Sequence, residues 1–255
     1  MIVIKNKSAL LKMETAGKLL AEIVTSLAPL IKPGVTSLEI DNYVAKRLQE
    51  SNLVSAMKGY MGYKYVTCIS VNDVVVHGIP SNKMILRNGD IVKVDVAASW
   101  KGYCADMARV FFVGDQVSDQ AYKLARVAQD ALNKGIDQAC VGKTLGDISH
   151  AIQSEVERHG FAVVRDFTGH GIGKRMHEDP EILNYGKPGT GPRLCAGMTL
   201  ALEPMITAKG YEVFVEKDKW TVKTVDGSLA AHVEDTVAIT DQGPKIFTRL
   251  ENEGW

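Results

Sequence analysis

Apolar and polar positions alternate along this chain with two distinct periods. Between positions 8 and 30, Leu11, Ala16, Leu19, Leu20 and Ile23 recur at helical spacing, which predicts an amphipathic helix stopped by Pro33-Gly34. Thr36 then stands as the cap of a second helix reaching about Gln49, with Glu39 three residues on completing a capping box. The order repeats further along: a long amphipathic helix is predicted over 118–134, and a capped one over 144–159, ended by Gly160. Period-two runs over 91–98 and 103–113 predict two strands joined at Lys101-Gly102.

The repetition has one offset. Gly34, Thr36 and Glu39 match Gly142, Thr144 and Asp147 (142 − 34 = 108); Gly89 matches Gly197 and Asp95 matches Glu203 at the same 108. One long period seen twice is not a solenoid, which needs several short repeats. The expectation is an α/β fold: a single domain over 1–255, pseudo-duplicated into halves of about 1–113 and 114–255, with antiparallel strands around a central site.

Five residues break the apolar strand patterns: Asp95, Asp106, His170, Glu203 and Glu234, in segments such as Val94-Asp95-Val96 and Val233-Glu234-Asp235. An ionised carboxylate is costly to bury unless paired or bound to a cation, so four of them on apolar strand ends call for positive charge. Two divalent ions would supply it. A two-residue turn at 101–102 pairs Trp100 with Tyr103 and sets Ala97 opposite Asp106. Asp95 and Asp106 then share a face, with Cβ atoms roughly 7 Å apart. That separation suits ions about 3.5–4 Å apart, the spacing of two-metal hydrolytic sites, whereas a slip of one residue would split the pair. The glycines flanking His170 permit close backbone approach to a ligand. Gly142-Lys143-Thr144 is no phosphate loop, because Asp137 occupies the first glycine position. His150 and His159 are expected to be structural residues on their helix. His77 and His177 each stand beside a turn bounded by Gly or Pro, in equivalent stretches of the two halves, and suit either support of the metal ligands or substrate contact.

Composition narrows the partners. The 30 basic and 30 acidic residues cancel, and no balance of charge argues for nucleic acid or an anionic membrane. The N-terminal stretch is broken by Lys5, Lys7, Lys12, Glu14 and Lys18, so it reads as neither signal peptide nor spanning helix. Cys68, Cys104, Cys140 and Cys195 are widely spaced, as expected of reduced thiols in a cytoplasmic protein.

The run from Cys68 to Pro80 containing His77, the spaced Asp95 and Asp106, Gly169-His170-Gly171-Ile172-Gly173, Glu203-Pro204, and the stretch from Trp220 to Ser228 before Glu234 closely resemble a type I methionine aminopeptidase of bacterial kind. The resemblance covers essentially the whole chain and implies the pita-bread fold. It implies that Asp95 chelates one metal, that Asp106 and Glu234 bridge both, and that His170 and Glu203 complete the other. The ions (Co, Mn, Fe or Zn) share a water and lower its pKa; the water attacks the scissile carbonyl, with Glu203 as general base. His177 would contact that carbonyl and His77 the peptide nitrogen. Tyr60, Tyr63, Cys68, Met176 and Trp220 match the methionine pocket. The implied reaction removes the initiator methionine from nascent chains with a small second residue, near the ribosome, by a monomer. Against the family pattern, Met57 replaces a small or thiol residue, Met176 an aromatic and His232 a glutamine, while Asp235 follows the last ligand. Two alternatives are a dinuclear aminopeptidase with another N-terminal preference and a non-catalytic scaffold of the same fold.

Overall fold

The computed structural model describes residues 1–250, so the last five positions of the span expected for the domain lie outside the described residues. Four helices form: α1 (Lys7–Thr25), α2 (Ser37–Glu50), α3 (Asp119–Gln138) and α4 (Leu145–Arg158). Helix α1 starts under the Asn6 side chain, which accepts from the Ala9 N–H, and ends five residues before the predicted position 30. Proline explains the early stop: Pro29 has no N–H for the Thr25 carbonyl, and Ala28 and Leu30 close tighter turns instead. Thr36 and Thr144 both head complete capping boxes, with Glu39 and Asp147. Helix α3 runs four residues past the predicted end.

Nine strands make the main sheet: β1 (Val54–Ser55), β2 (Cys68–Val71), β3 (Ile91–Trp100), β4 (Tyr103–Phe112), β5 (Gly169–Gly171), β6 (Glu178–Ile182), β7 (Thr199–Leu202), β8 (Glu234–Thr240) and β9 (Gly243–Ile246). Their order is β1-β3-β4-β8-β7-β5-β6, with β2 also on β3 and β9 on β8. All pairings among them are antiparallel. The β3–β4 hairpin has the predicted register, Trp100 with Tyr103 and Ala97 with Asp106. Lys101 and Gly102 both have positive φ (48° and 77°), as the two-residue I′ turn requires.

The helices cover one face of the sheet. Leu20, Ile23, Leu27 and Ile40 of the first pair and the turn after α1 pack on Val92, Val94, Val96 and Met107. Leu124, Leu132, Ile148 and Ile152 of the second pair pack on Ile182, Leu200 and Val237. Each such side chain, fully buried, contributes roughly 1.5–3 kcal/mol. The 108-residue offset returns in the loop contacts. Gly34 donates to Leu86 O as Gly142 donates to Leu194 O, and the bridge Thr36–Ile85 has its counterpart in Thr144–Arg193. Against the edges of this sheet lie two smaller ones. The first sets Met205–Thr207 between Ala230–His232 and Ala162–Val163; the second sets Val222–Thr224 between Val213–Val215 and Val74–Val76. No helix among the described residues is long and apolar enough to cross a membrane.

Candidate active site

Strand register alone places the acidic residues. Asp95 pairs with Ala108 across β3–β4, and Ala108 pairs with Glu234 across β4–β8, so the two carboxylates lie in one row. Asp235 pairs with Leu202; one step past the end of β7, Glu203 comes level with Glu234. The neighbouring row, two residues along, starts from Ala97 and Asp106. It crosses to Thr236, whose hydroxyl donates to the Asp106 carbonyl and accepts from its N–H, then to Ala201 and His170. Since side chains alternate faces along a strand, both rows project on the face away from the helices. Asp106, His170 and Glu234 are buried there, and Asp95 and Glu203 half-buried.

The glycines around His170 serve packing more than ligand approach. A Cβ on Gly169 would sit 2.5 Å from the Ala201 carbonyl oxygen, and one on Gly171 would sit 2.0 Å from that of Asp179. Strand β5 is squeezed between β7 and β6, and only backbone fits. This corrects the ligand-approach reading. His170 Nδ1 donates to the Gly171 carbonyl at 2.9 Å, which leaves Nε2 free to face the carboxylates. Nε2 lies 3.5 Å from Glu203 Oε1 and 4.0 Å from Asp106 Oδ2.

Burial dominates the electrostatics. It drives the carboxyls of Asp95, Glu203 and Glu234 well above their usual range, and the nearby Asp106 charge raises each further. Asp106 itself is pushed up to about 7. Burial holds His170 and His77 down at about 4 and His232 at about 3, so these imidazoles are neutral at pH 7. Three buried atoms here have no hydrogen-bond partner: Asp106 Oδ1, Glu234 Oε1 and His232 Nε2. Crowded carboxylates and orphaned lone pairs on a mixed oxygen and nitrogen set fit divalent cations. Two groups bring ligand atoms within 4.8 Å of one another, Asp106–His170–Glu234 and Glu203–His232–Glu234. Asp95 stands outside both groups but lines the same cavity.

That cavity holds about 270 Å³ and brings together all five residues singled out in the sequence, with His77 and His177. Tyr60, Tyr63, Cys68, Met176 and Trp220 form its apolar side, joined by Met57. The Tyr63 hydroxyl donates to the Thr67 carbonyl, and its ring lies 4.8 Å from that of Trp220. His177 Nδ1 shares a 2.8 Å hydrogen bond with the Tyr60 hydroxyl, and its ring stands edge-on to His170 at 4.4 Å. His77 sits at φ 59°, a backbone region costly for a non-glycine residue, with its ring edge-on to Phe167 and Trp220. A second cavity of about 510 Å³ shares His77, His170, His177 and Glu203 with the first, and adds Asp166, Arg175 and Asp179. The histidines and Glu203 therefore stand between an apolar chamber and a polar cleft.

His150 lies on α4, bonded to Ser154, and His159 caps its C-terminus, bonded to the Glu155 carbonyl. Asp235 is not at the pocket: it faces the back of the sheet, where Arg109, Arg249 and Thr248 all donate to it. Met61 also lines this cavity without a signal in the sequence, and His232 stands beside Glu203. His232 precedes Glu234 by two residues but ends a strand of a separate sheet, so alternation along one strand does not place it.

A model of metallopeptidase family M24 matches residues 11–241. A methionine aminopeptidase of Clostridium acetobutylicum is 47% identical over 251 residues, 98% of this chain and 100% of that protein. The crystal structure of methionine aminopeptidase from Thermotoga maritima superposes with a TM-score of 0.96 at 45% identity, covering 98% of this chain and 100% of that one. The prolidase of Pyrococcus furiosus shares the fold (TM-score 0.77, 21% identity), with 98% of this chain spanning 66% of its length. The curled antiparallel sheet and its helices are thus the pita-bread architecture expected from the resemblance.

Proposed function

The chain belongs to metallopeptidase family M24, and from that membership we propose that it removes the initiator methionine from nascent polypeptides whose second residue is small. The single observation that carries the reading is the junction of a carboxylate-rich cation site with a small apolar chamber in one cavity. At about 270 Å³ the whole cavity falls below the roughly 300–1,000 Å³ of drug-sized ligand sites, which suits one side chain with its amine. Polarizable and aromatic walls from Met57, Met176, Tyr63 and Trp220 favour a thioether. The rest of the peptide leaves through the polar cleft.

Asp95, Asp106, His170, Glu203 and Glu234 would hold two divalent ions, drawn from Co, Mn, Fe and Zn. When bound, such ions supply Lewis-acid polarisation and lower the pKa of water towards neutrality. The remaining work falls to side chains. Glu203, set between the His170 and His232 imidazoles, takes the proton from the attacking water as general base. His177, oriented by Tyr60, donates to the scissile carbonyl as charge develops on it. Neutral His77 contacts the peptide nitrogen, held by Phe167 and Trp220. The free α-amine is drawn to the carboxylate and ion cluster, which restricts cleavage to the first residue.

The test is peptide hydrolysis after chelation and stepwise return of Mn²⁺ or Co²⁺, comparing Met-Ala-Ser, Leu-Ala-Ser and Met-Leu-Ser. Metal-dependent release from Met-Ala-Ser alone is expected. Equal cleavage of Leu-Ala-Ser would leave an aminopeptidase of another preference. No turnover with any metal, in folded protein that binds the ions, would leave the scaffold reading.

A further inference from the structure

We propose that His232 is a sixth protein ligand of the metal centre, giving its Nε2 to the ion held by Glu203 and Glu234. Geometry carries this. His232 is 2% exposed, on a strand (Ala230–His232) whose partner residue at this point is Met205, two positions from Glu203. Its Nε2 is buried without a hydrogen-bond partner and stands 3.5 Å from Glu203 Oε2. That distance is too long for a good N–H···O bond, normally 2.7–3.2 Å. It matches the 3.5 Å between His170 Nε2 and the other Glu203 oxygen. Two ligand atoms about 2.0–2.2 Å from one ion stand about that far apart. The carboxylate of Glu203 is therefore flanked symmetrically by two imidazole nitrogens, each placed as a co-ligand rather than as a donor.

A second imidazole would change the character of the centre. Four carboxylates and one imidazole make a hard, oxygen-rich set, while a second nitrogen moves the Glu203–Glu234 ion towards metals that imidazole suits, Zn, Fe and Co over Mn. A buried imidazole with no other partner also has little reason to be tolerated beside four carboxylates unless a cation joins them.

The inference rests on the dinuclear reading above, and the experiment separates the two. In the Co²⁺-loaded protein, each imidazole bound through Nε2 carries an exchangeable Nδ1–H whose proton resonance is strongly displaced by the paramagnetic ion. His170, with Nδ1 bonded to the Gly171 carbonyl, is the internal control. Two such exchangeable resonances are expected in the wild-type protein and one in His232→Gln. A single resonance in both proteins would overturn the assignment of His232 while leaving the metal site intact. No displaced resonance in either would overturn the metal reading itself and this inference with it. The readout needs no turnover, so a variant that has lost activity for another reason still decides the question.

Discussion

Removing a ligand should stabilise the protein once its ions are gone. Asp106 is 5% exposed, its Oδ1 has no partner, and burial lifts its carboxyl from 3.8 to about 7. A shift of about 3 pH units corresponds to about 4 kcal/mol at 1.36 kcal/mol per unit. The folded-state pKa is raised, so the native state keeps a proton that the unfolded chain releases. Metal-free stability is therefore highest below pH 3.8 as far as this group is concerned, falls through the window up to about pH 7, and stays low above it. Asp106→Asn removes the charge and also relieves Asp95, Glu203 and Glu234, each of which the Asp106 carboxylate raises. Allowing half of the penalty to be offset by an imperfectly bonded amide, the metal-free variant gains about 2 kcal/mol at pH 8. That raises Tm by roughly 4–8 °C for a chain of this size. Thermal melts in excess chelator at pH 5 and pH 8, repeated with saturating Mn²⁺, form the assay. The gain should be largest at pH 8 without metal, shrink at pH 5, and reverse with metal, because the variant forgoes the ion's stabilisation. A metal-free variant that melts at or below the wild-type temperature at pH 8 would refute the argument.

Gly171→Ala places a Cβ 2.0 Å from the Asp179 carbonyl oxygen, against backbone that cannot swing aside, and should cost at least about 3 kcal/mol in denaturant unfolding; a neutral result would mean that β5 and β6 part easily. Lys5 and Glu178 form a buried ion pair at 2.7 Å, with side chains 4% and 6% exposed, so Lys5→Met should destabilise by about 3 kcal/mol. The Glu178 carboxyl is held below its ordinary 4.5 in spite of the opposing effect of burial, chiefly by the Lys5 hydrogen bond. Its contribution is thus present above pH 4.5 and lost as pH falls further, and unfolding at pH 7 and pH 3 should show the penalty shrinking. Tyr60→Phe removes the hydroxyl that orients His177 and should lower kcat/KM about fivefold, near 1 kcal/mol, with Tm unchanged; an equal drop in the double variant and in His177→Ala alone would confirm that both act as one unit.

Local structure was largely legible from the chain, and long-range structure was not. The β3–β4 register followed from a two-residue turn, because turn length and period-two alternation leave one pairing that buries the right face. Both capping boxes were readable for the same reason, since their partners lie three residues apart. The pairing of β4 with β8 joins residues 126 positions apart (234 − 108), and no local rule reports it. Asp235, next to Glu234 on the same strand, falls on the opposite face by alternation alone. The place of His232 is equally non-local: it belongs to a small separate sheet, and its approach to Glu203 arises from the pairing with Met205. The apolar pattern of α1 runs on past Pro29, so periodicity alone extends the helix beyond the Thr25 at which it ends.

The two rows that carry the carboxylates have a consequence for how each copy of the protein comes into being. Their members are drawn from positions 95 to 234, and each row is completed only across strands that are far apart in the chain. A growing chain that has not yet delivered Glu234 to the sheet holds at most two of the three residues of each candidate cation group. Each candidate cation group is thus completed only when a strand from near the end of the chain joins the sheet, so the site is among the last features that synthesis makes possible.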